Sequence, residues 1–307
     1  MKGPVFLLSA FLVLEGAGLL HAANDADTFK LEIAGGTLDV MFGPGELDLP
    51  KSKILDWISR SARAVAIYYG HFPVRRVQLT IIPVAGTGVL SGKSFGDPYA
   101  RVKISIGSSA TEADLEKDWK LVHELVHLAF PSVDENHHWI EEGIATYVEP
   151  IAGAETGQLS AEKVWGDLVR GLPNGLPQPG DRGLDYTPTW GRTYWGGALF
   201  CLLADIEIHQ RTQNRYGLQD ALRAINVAGG SIELNWELRR AFKIGDDATG
   251  VPVLTELYQR MRAAPVGADL PVLWRNLGVA VDGASVIFDE QAPLAKERRA
   301  ITARRSG

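Results

Sequence analysis

The hydrophobic pattern changes its period along the chain, from strand-like in the front third to helix-like behind it. Alternating apolar and polar residues at 29–33, 77–83 and 101–106 predict strands. Apolar residues at helical spacing over 54–69 predict one early helix, and helical spacing dominates from Thr111 onward. The pattern therefore predicts an α+β fold, with a strand-rich N-terminal subdomain followed by a helical subdomain.

Four segments follow from this change of period and from the composition at the two ends. We expect a signal peptide at 1–23, a strand-rich subdomain at 24–110, a helical subdomain at 111–264 and a C-terminal extension at 265–307. Prolines and glycines concentrate at 171–191, which predicts a long loop at the rim of a site or a lid over it.

The first residues have the organisation of a secretory signal. Lys2 precedes an apolar run at 5–14, and small residues at Ala22 and Ala23 offer cleavage points. The run is shorter than the roughly 20 apolar residues that span a bilayer. We therefore expect a periplasmic or secreted protein with no stable membrane span after signal removal.

Composition narrows the class of protein. The chain has 307 residues, is 46% hydrophobic and carries a net charge of −6, which is typical of a globular protein and disfavours a nucleic-acid partner. The single cysteine, Cys201, excludes an intrachain disulfide and a four-cysteine metal site, and it is predicted to be buried. The basic tail from Lys296 is interpreted as a solvated terminus.

One short motif suggests a nucleotide site but fails on spacing. Gly92-Lys93-Ser94 follows a predicted strand, but Thr87 stands where a phosphate-binding loop needs glycine, and no helix follows. We interpret it as a flexible turn between two strands.

The candidate chemistry begins with His123-Glu124-Leu125-Val126-His127. Two histidines four residues apart lie on one face of a helix, where their imidazoles can bind one metal ion, while Glu124 can reach a metal-bound water. A possible capping box at Thr111 and Asp114 predicts where this helix begins. Its inward face is predicted to comprise Leu115, Trp119, Val122 and Val126, with Pro131 ending the helix.

A second predicted helix supplies a third ligand. A catalytic zinc site has three protein ligands and one open position. Glu142 lies on this helix, beside Gly143, which removes a side chain where two helices approach closely, and Pro150 is predicted to end the helix.

Together these motifs resemble the gluzincins, the zinc peptidases of the aminopeptidase N and thermolysin group. The matching residues are His123-Glu124-x-x-His127 and Trp139-x-x-Glu142-Gly143-x-Ala145. The resemblance covers about residues 100–220, is strongest to small peptidase-MA-like domains and the glycyl-aminopeptidase-like branch, and implies a thermolysin-like catalytic core. Fewer residues separate His127 from Glu142 than in aminopeptidase N.

The resemblance implies a role for each matched residue. His123, His127 and Glu142 would bind one zinc ion, and Glu124 would act on a metal-bound water as general base. Tyr194, at the start of a later helix, would donate to the oxyanion. The strand at 101–106 would be the edge strand that pairs with an extended peptide substrate.

Neighbouring residues offer alternatives for these roles. Glu141 is a rival ligand that is expected to face elsewhere, and His138 shares the face of Glu142 and could contact substrate or metal. Tyr147 is a poorer oxyanion donor than Tyr194, and Thr146 could hold a ligand in place.

The function predicted is hydrolysis of peptide bonds by an exported zinc metallopeptidase. The segment that fixes the substrate's free amine in the related aminopeptidases is missing, so endopeptidase and aminopeptidase activity both stay open. The alternatives are an inactive metal-binding or scaffold protein of the cell envelope and hydrolysis of a non-peptide bond there. Two imidazoles and a carboxylate suit zinc, and other divalent ions also fit.

Overall fold

The computed structural model describes residues 28–283 and 285–304. The first part is a mixed β-sheet with one long helix, and the rest is mostly helical, so the predicted strand-rich and helical parts are confirmed. The strands are β1 (Thr28–Ile33), β2 (Gly36–Phe42), β3 (Arg76–Val84), β4 (Val89–Phe95), β5 (Arg101–Gly107), β6 (Val279–Asp282) and β7 (Ser285–Phe288). The helices are α1 (Lys51–Tyr69), α2 (Glu112–Glu116), α3 (Lys120–His127), α4 (His138–Glu155), α5 (Ala161–Gly171), α6 (Gly197–Arg211), α7 (Leu218–Val227), α8 (Leu238–Thr249), α9 (Val253–Met261), α10 (Leu270–Leu277) and α11 (Ala295–Ile301).

The main sheet has the strand order β1-β2-β3-β5-β4. β2, β3 and β5 run parallel, while β1 and β4 are antiparallel to their neighbours. Alternate residues of the central strands, such as Leu79, Ile81 and Ile104, are fully buried, which places one face of the sheet against the helices. The apolar core is one contiguous cluster that extends from the sheet through the helices to Ile301.

The edge of this sheet is not where the resemblance placed it. The strand β5, which contains the predicted edge residues 101–106, lies between β3 and β4. β4 lies at that edge of the sheet, and it contains Gly92-Lys93-Ser94, so the prediction of a flexible turn there is wrong. Residues 92–95 pair with residues 101–104 in antiparallel register, and this pairing draws the segment into the sheet.

The helix that carries the two histidines is shorter than predicted. The capping box of Thr111 and Asp114 exists, but it begins the separate short helix α2. The chain then turns, and α3 begins only at Lys120. Because the apolar face does not run continuously through both helices, Trp119 is 49% exposed rather than part of an inward face.

The next helix is longer than predicted. Pro150 lies inside α4, which continues to Glu155, so the prediction that Pro150 ends the helix is wrong. Only one backbone donor is missing at a proline, and burial of the following residues Ile151 and Ala152 holds the helix together.

The C-terminal segment is folded against the body as far as it is described. Arg298 is buried and donates to the carbonyl oxygen of Gly278 at 2.8 Å, so the interpretation of the tail from Lys296 as wholly solvated is wrong. The predicted signal peptide at 1–23 lies outside the described residues. Among the helices within 28–283 and 285–304, none is long and apolar enough to cross a bilayer.

Candidate metal and catalytic site

The two histidines of α3 project from the same side of the helix, as their spacing of four predicts. Their ring centroids lie 4.9 Å apart at an interplanar angle of 82°. His123 is buried and His127 is partly buried. Local helical geometry alone therefore brings two imidazole nitrogens to one place.

Glu142 reaches the same place from α4. Its Oε2 lies 3.2 Å from Nε2 of His123 and 3.6 Å from Nε2 of His127. Gly143 packs directly on Gly197 of α6, where an added Cβ would lie 2.4 Å from a backbone atom. The predicted close approach of two helices at Gly143 is thus present, and the two helices are α4 and α6.

The donor set fits a tetrahedral metal ion. Within the described part of the chain, His123, His127 and Glu142 form the one group whose possible ligand atoms all lie within 4.8 Å of one another. Ligands about 2.0–2.1 Å from zinc at tetrahedral angles lie about 3.3–3.4 Å apart. The 3.2 Å and 3.6 Å separations match that spacing.

The electrostatics of this cluster favour an ionised carboxylate. Burial by itself raises the pKa of the Glu142 carboxyl, but hydrogen bonds from His123, His127 and His138 hold it well below its usual range. Burial lowers the pKa of His127, while its hydrogen bond to Glu142 raises it, and the net direction is upward. The carboxylate therefore remains negative and available to a cation.

Glu124 lies beside this cluster, against β4 rather than among the ligand atoms. The Ser94 hydroxyl donates to this residue, with Oγ 2.7 Å from Oε2 and 2.8 Å from the backbone carbonyl oxygen of Glu124. A Cβ added to Gly92 would lie 2.5 Å from Cγ of Glu124. The carboxylate is therefore enclosed on one side by the edge strand.

Tyr194 is brought to the site by a single π-helical turn, Gly191–Gly196, immediately before α6. Its ring stacks on that of His123 with centroids 6.3 Å apart, and on that of Trp190 at 6.2 Å. Burial, together with the carboxylates of Glu142 and Glu124, raises the pKa of the Tyr194 hydroxyl. The phenol thus keeps its proton at neutral pH and can donate it.

These side chains line a cavity of about 490 Å³. We call α3, α4 and the turn that carries Tyr194 the helical wall. We call residues 92–96, which are the end of β4 and the residue after it, the strand wall. The sequence analysis named the candidate residues of the helical wall that border this cavity, but Gly92 and Ser94 of the strand wall were missed. The signal that was present is that these two residues are spaced by two and so share one face of a strand.

The alternative residues have other partners. His138 is half exposed, with Nδ1 2.8 Å from Oε2 of Glu141 and Nε2 3.3 Å from Oε1 of Glu142. Hydrogen bonds to Glu141 and then Glu142 raise the pKa of His138 to about 10. Glu141 does border the cavity, although we expected it to face elsewhere, and it accepts from the backbone N–H of Val133 at 3.1 Å. Tyr147 is buried and donates to Asp205 at 2.8 Å, away from the cluster of His123, His127 and Glu142.

The segment at 171–191 contains two short 3-10 turns and is hydrogen-bonded to neighbouring helices. Asp185 is buried and accepts from Nε1 of Trp139 and from the Tyr258 hydroxyl, each at 3.0 Å. At its end, Trp190 is 63% exposed and stacks on Tyr194. The segment thus reaches the rim of the site through Trp190, and its predicted role as a lid stays a prediction.

Comparisons with known proteins show the fold. No protein-family model and no curated protein sequence matches this chain. The aminopeptidase N family protein from Idiomarina loihiensis is similar in structure, with a TM-score of 0.59 at 14% identity over 87% of this chain and 52% of its own. The M1 zinc metallopeptidase from Deinococcus radiodurans gives 0.52 at 16% identity, over 80% of this chain and 53% of its own.

A mutant of the latter enzyme bound to a Tyr-Ser-Ala substrate gives a TM-score of 0.53 at 14% identity, again over 80% of this chain and 53% of its own. The chain therefore spans about half the length of the solved structures it resembles. At these identities the likeness shows the fold alone, which is the one seen in these M1 zinc metallopeptidases.

Proposed function

We propose that this protein is a zinc-dependent peptidase in which His123, His127 and Glu142 hold one zinc ion. The observation that carries the proposal is the convergence of these three side chains at tetrahedral ligand spacing on the wall of a cavity. The solved structures with this fold are named as zinc metallopeptidases, one of them with a tripeptide bound, which supports peptides as the substrate class. A thermolysin-like core and the peptidase-MA-like branch remain part of the proposal.

A zinc ion bound by these residues supplies Lewis acidity, which polarises a carbonyl group and lowers the pKa of water. Glu124 borders the cavity next to the ligand cluster without belonging to it. Its carboxylate accepts a proton from the attacking water and later returns that proton to the leaving amine. The protonated Tyr194 hydroxyl donates to the oxyanion that develops on the substrate.

The test of this function uses the purified chain and Glu124→Gln. Glutamine keeps the shape of the side chain but cannot take the proton, so we expect kcat to fall by about 10²–10⁴-fold while one zinc per chain is retained. Cleavage of a fluorogenic peptide of mixed sequence measures kcat, and elemental analysis measures the zinc content. Equal cleavage by both proteins, or no cleavage by the unaltered chain, would contradict the proposal.

We also propose that the chain is exported, on the strength of the signal-like sequence at 1–23. Cell fractionation followed by N-terminal sequencing tests this proposal separately from activity. A mature protein that begins near Ala23 or Asn24 outside the cytoplasm is expected, and an intact Met1 terminus in the cytoplasm would contradict it.

A further inference from the structure

Ser94 contacts Glu124 in two ways at once. Its hydroxyl oxygen lies 2.7 Å from the carboxylate oxygen Oε2 and 2.8 Å from the backbone carbonyl oxygen of the same residue. We propose that Ser94 is a positioning residue, which holds the Glu124 carboxylate in the orientation needed for proton transfer. This inference rests on the proposed function, in which Glu124 is the general base.

The strand wall leaves the carboxylate little room on that side. Gly92 and Ser94 lie on the same face of β4, because side chains alternate along a strand. Even a methyl group at position 92 would meet Cγ of Glu124 at 2.5 Å and Oε1 at 2.9 Å. Gly92 therefore lets β4 approach Glu124 closely, and Ser94 supplies a polar contact to Glu124.

The carboxylate is the stronger of the two acceptors. A serine hydroxyl carries one proton, so it donates to one acceptor at a time. Hydrogen bonds to an ionised group are shorter and roughly twice as strong as those between neutral groups. The proton therefore goes to Oε2, and the bond restricts rotation of the Glu124 side chain about its terminal torsion.

A purely structural role is the rival explanation, and it makes a different prediction. Since α3 ends at His127, the carbonyl of Glu124 is among the last four of the helix, which lack an intrahelical partner. A hydroxyl that only caps this carbonyl would stabilise the end of α3. Its loss would lower the melting temperature or the zinc content. The measured kcat would then fall only in proportion to the loss of folded, zinc-loaded protein.

The experiment compares Ser94→Ala, Ser94→Thr and the unaltered chain. For Ser94→Ala we expect kcat to fall by about tenfold to a hundredfold, which is the value of a hydrogen bond to a charged group. KM should change by less than about threefold and zinc content should stay at one per chain, because neither depends on the carboxylate of Glu124. Ser94→Thr keeps the hydroxyl and should recover most of kcat.

Thr156→Val is the matched control. The Thr156 hydroxyl also caps helix carbonyls, those of Ala152 and Gly153 at 3.1 Å, but at the far end of α4. At 1.5 Å per residue this position is about 21 Å along the helix from Glu142. We expect this variant to keep kcat within about twofold even if its melting temperature falls.

A double-mutant cycle with Glu124→Asp tests whether Ser94 acts through Glu124. The aspartate side chain is shorter by one carbon–carbon bond, about 1.5 Å, and loses the contact. Ser94→Ala should then cost less than about twofold in that background. An undiminished cost there, an unchanged kcat in Ser94→Ala, equal losses in the Ala and Thr variants, or a loss that follows zinc content would each overturn the inference. Failure of the proposed function is distinguishable, since in that case Glu124→Gln would leave cleavage unchanged or the unaltered chain would not cleave at all.

Discussion

The residues of the helical wall and those of the strand wall are brought to the cavity in different ways. On the helical wall, His123 and His127 are placed by the period of a single helix, so their sequence spacing is enough to bring them together. On the strand wall, Gly92 and Ser94 meet Glu124 only because β4 pairs with β5 at the edge of the sheet. Local sequence is thus enough to bring the two proposed histidine ligands together, while the contacts of the proposed general base with β4 depend on long-range pairing.

The largest effect should come from removing the ligand that joins the two helices. Glu142→Ala leaves His123 and His127 with no third protein ligand, and we expect loss of zinc together with a loss of activity of at least about 10³-fold. Elemental analysis and peptide cleavage measure both. Glu141→Ala is the matched control, because it removes the adjacent carboxylate that lies outside the ligand cluster, and it should retain zinc. Equal zinc in both variants would show that Glu142 is not a ligand.

The site residues that the sequence named on α3, His123, Glu124 and His127, share one property, which is that helical geometry relates them over a few positions. Glu142 was named on a second helix, α4, and Gly143 beside it packs on Gly197 of α6. Trp119 was placed wrongly because the apolar spacing was extended across the turn between α2 and α3. The local signal that marks this turn is Asp118, whose carboxylate accepts from the backbone N–H groups of Lys120 at 3.1 Å and Leu121 at 3.0 Å.

The strand wall was not predicted for a physical reason. Glycine, lysine and serine have weak strand preference, so Gly92-Lys93-Ser94 looks like a turn on local grounds. Its strand conformation comes from backbone pairing with 101–104, a partner that the local sequence does not identify. The edge position of β4 rather than β5 is likewise a property of the whole sheet.

The second largest effect is expected from the Tyr194 hydroxyl on the helical wall. Tyr194→Phe removes the hydroxyl that we propose as a donor to the developing oxyanion, so we expect kcat to fall by about 10²–10³-fold. Zinc content should not change, because Tyr194 is not in the ligand cluster. Tyr147→Phe removes a buried hydroxyl bound to Asp205 and should affect stability more than kcat. A larger kcat loss in Tyr147→Phe than in Tyr194→Phe would reverse the assignment.

A smaller effect is expected on the strand wall. Gly92→Ala forces β4 or the Glu124 side chain to shift by several tenths of an ångström, and we expect kcat to fall about tenfold, since misplacing a catalytic group by 1 Å can cost about a hundredfold. Ser91→Ala changes an exposed residue of the same strand and should leave kcat within about twofold. Steady-state kinetics measures kcat of both variants. An unchanged kcat in Gly92→Ala would contradict this prediction.

The smallest effect concerns the substrate's free amine. Of the carboxylates that border the cavity, Glu141 is bound to His138 and to the Val133 N–H, and Glu142 and Glu124 have the roles proposed above. We therefore expect acetylated and free forms of one peptide to be cleaved with kcat/KM values within about fivefold, which corresponds to about 1 kcal/mol of selectivity. Matched peptides analysed by mass spectrometry give this ratio, and a strict requirement for the free amine would instead indicate an aminopeptidase.

Anomalous diffraction at the zinc absorption edge tests directly whether His123, His127 and Glu142 hold one zinc ion. We expect a single strong peak within about 2.0–2.2 Å of one nitrogen of each histidine and one carboxylate oxygen of Glu142. A zinc peak bound elsewhere, or no peak at this cluster in zinc-loaded crystals, would contradict it.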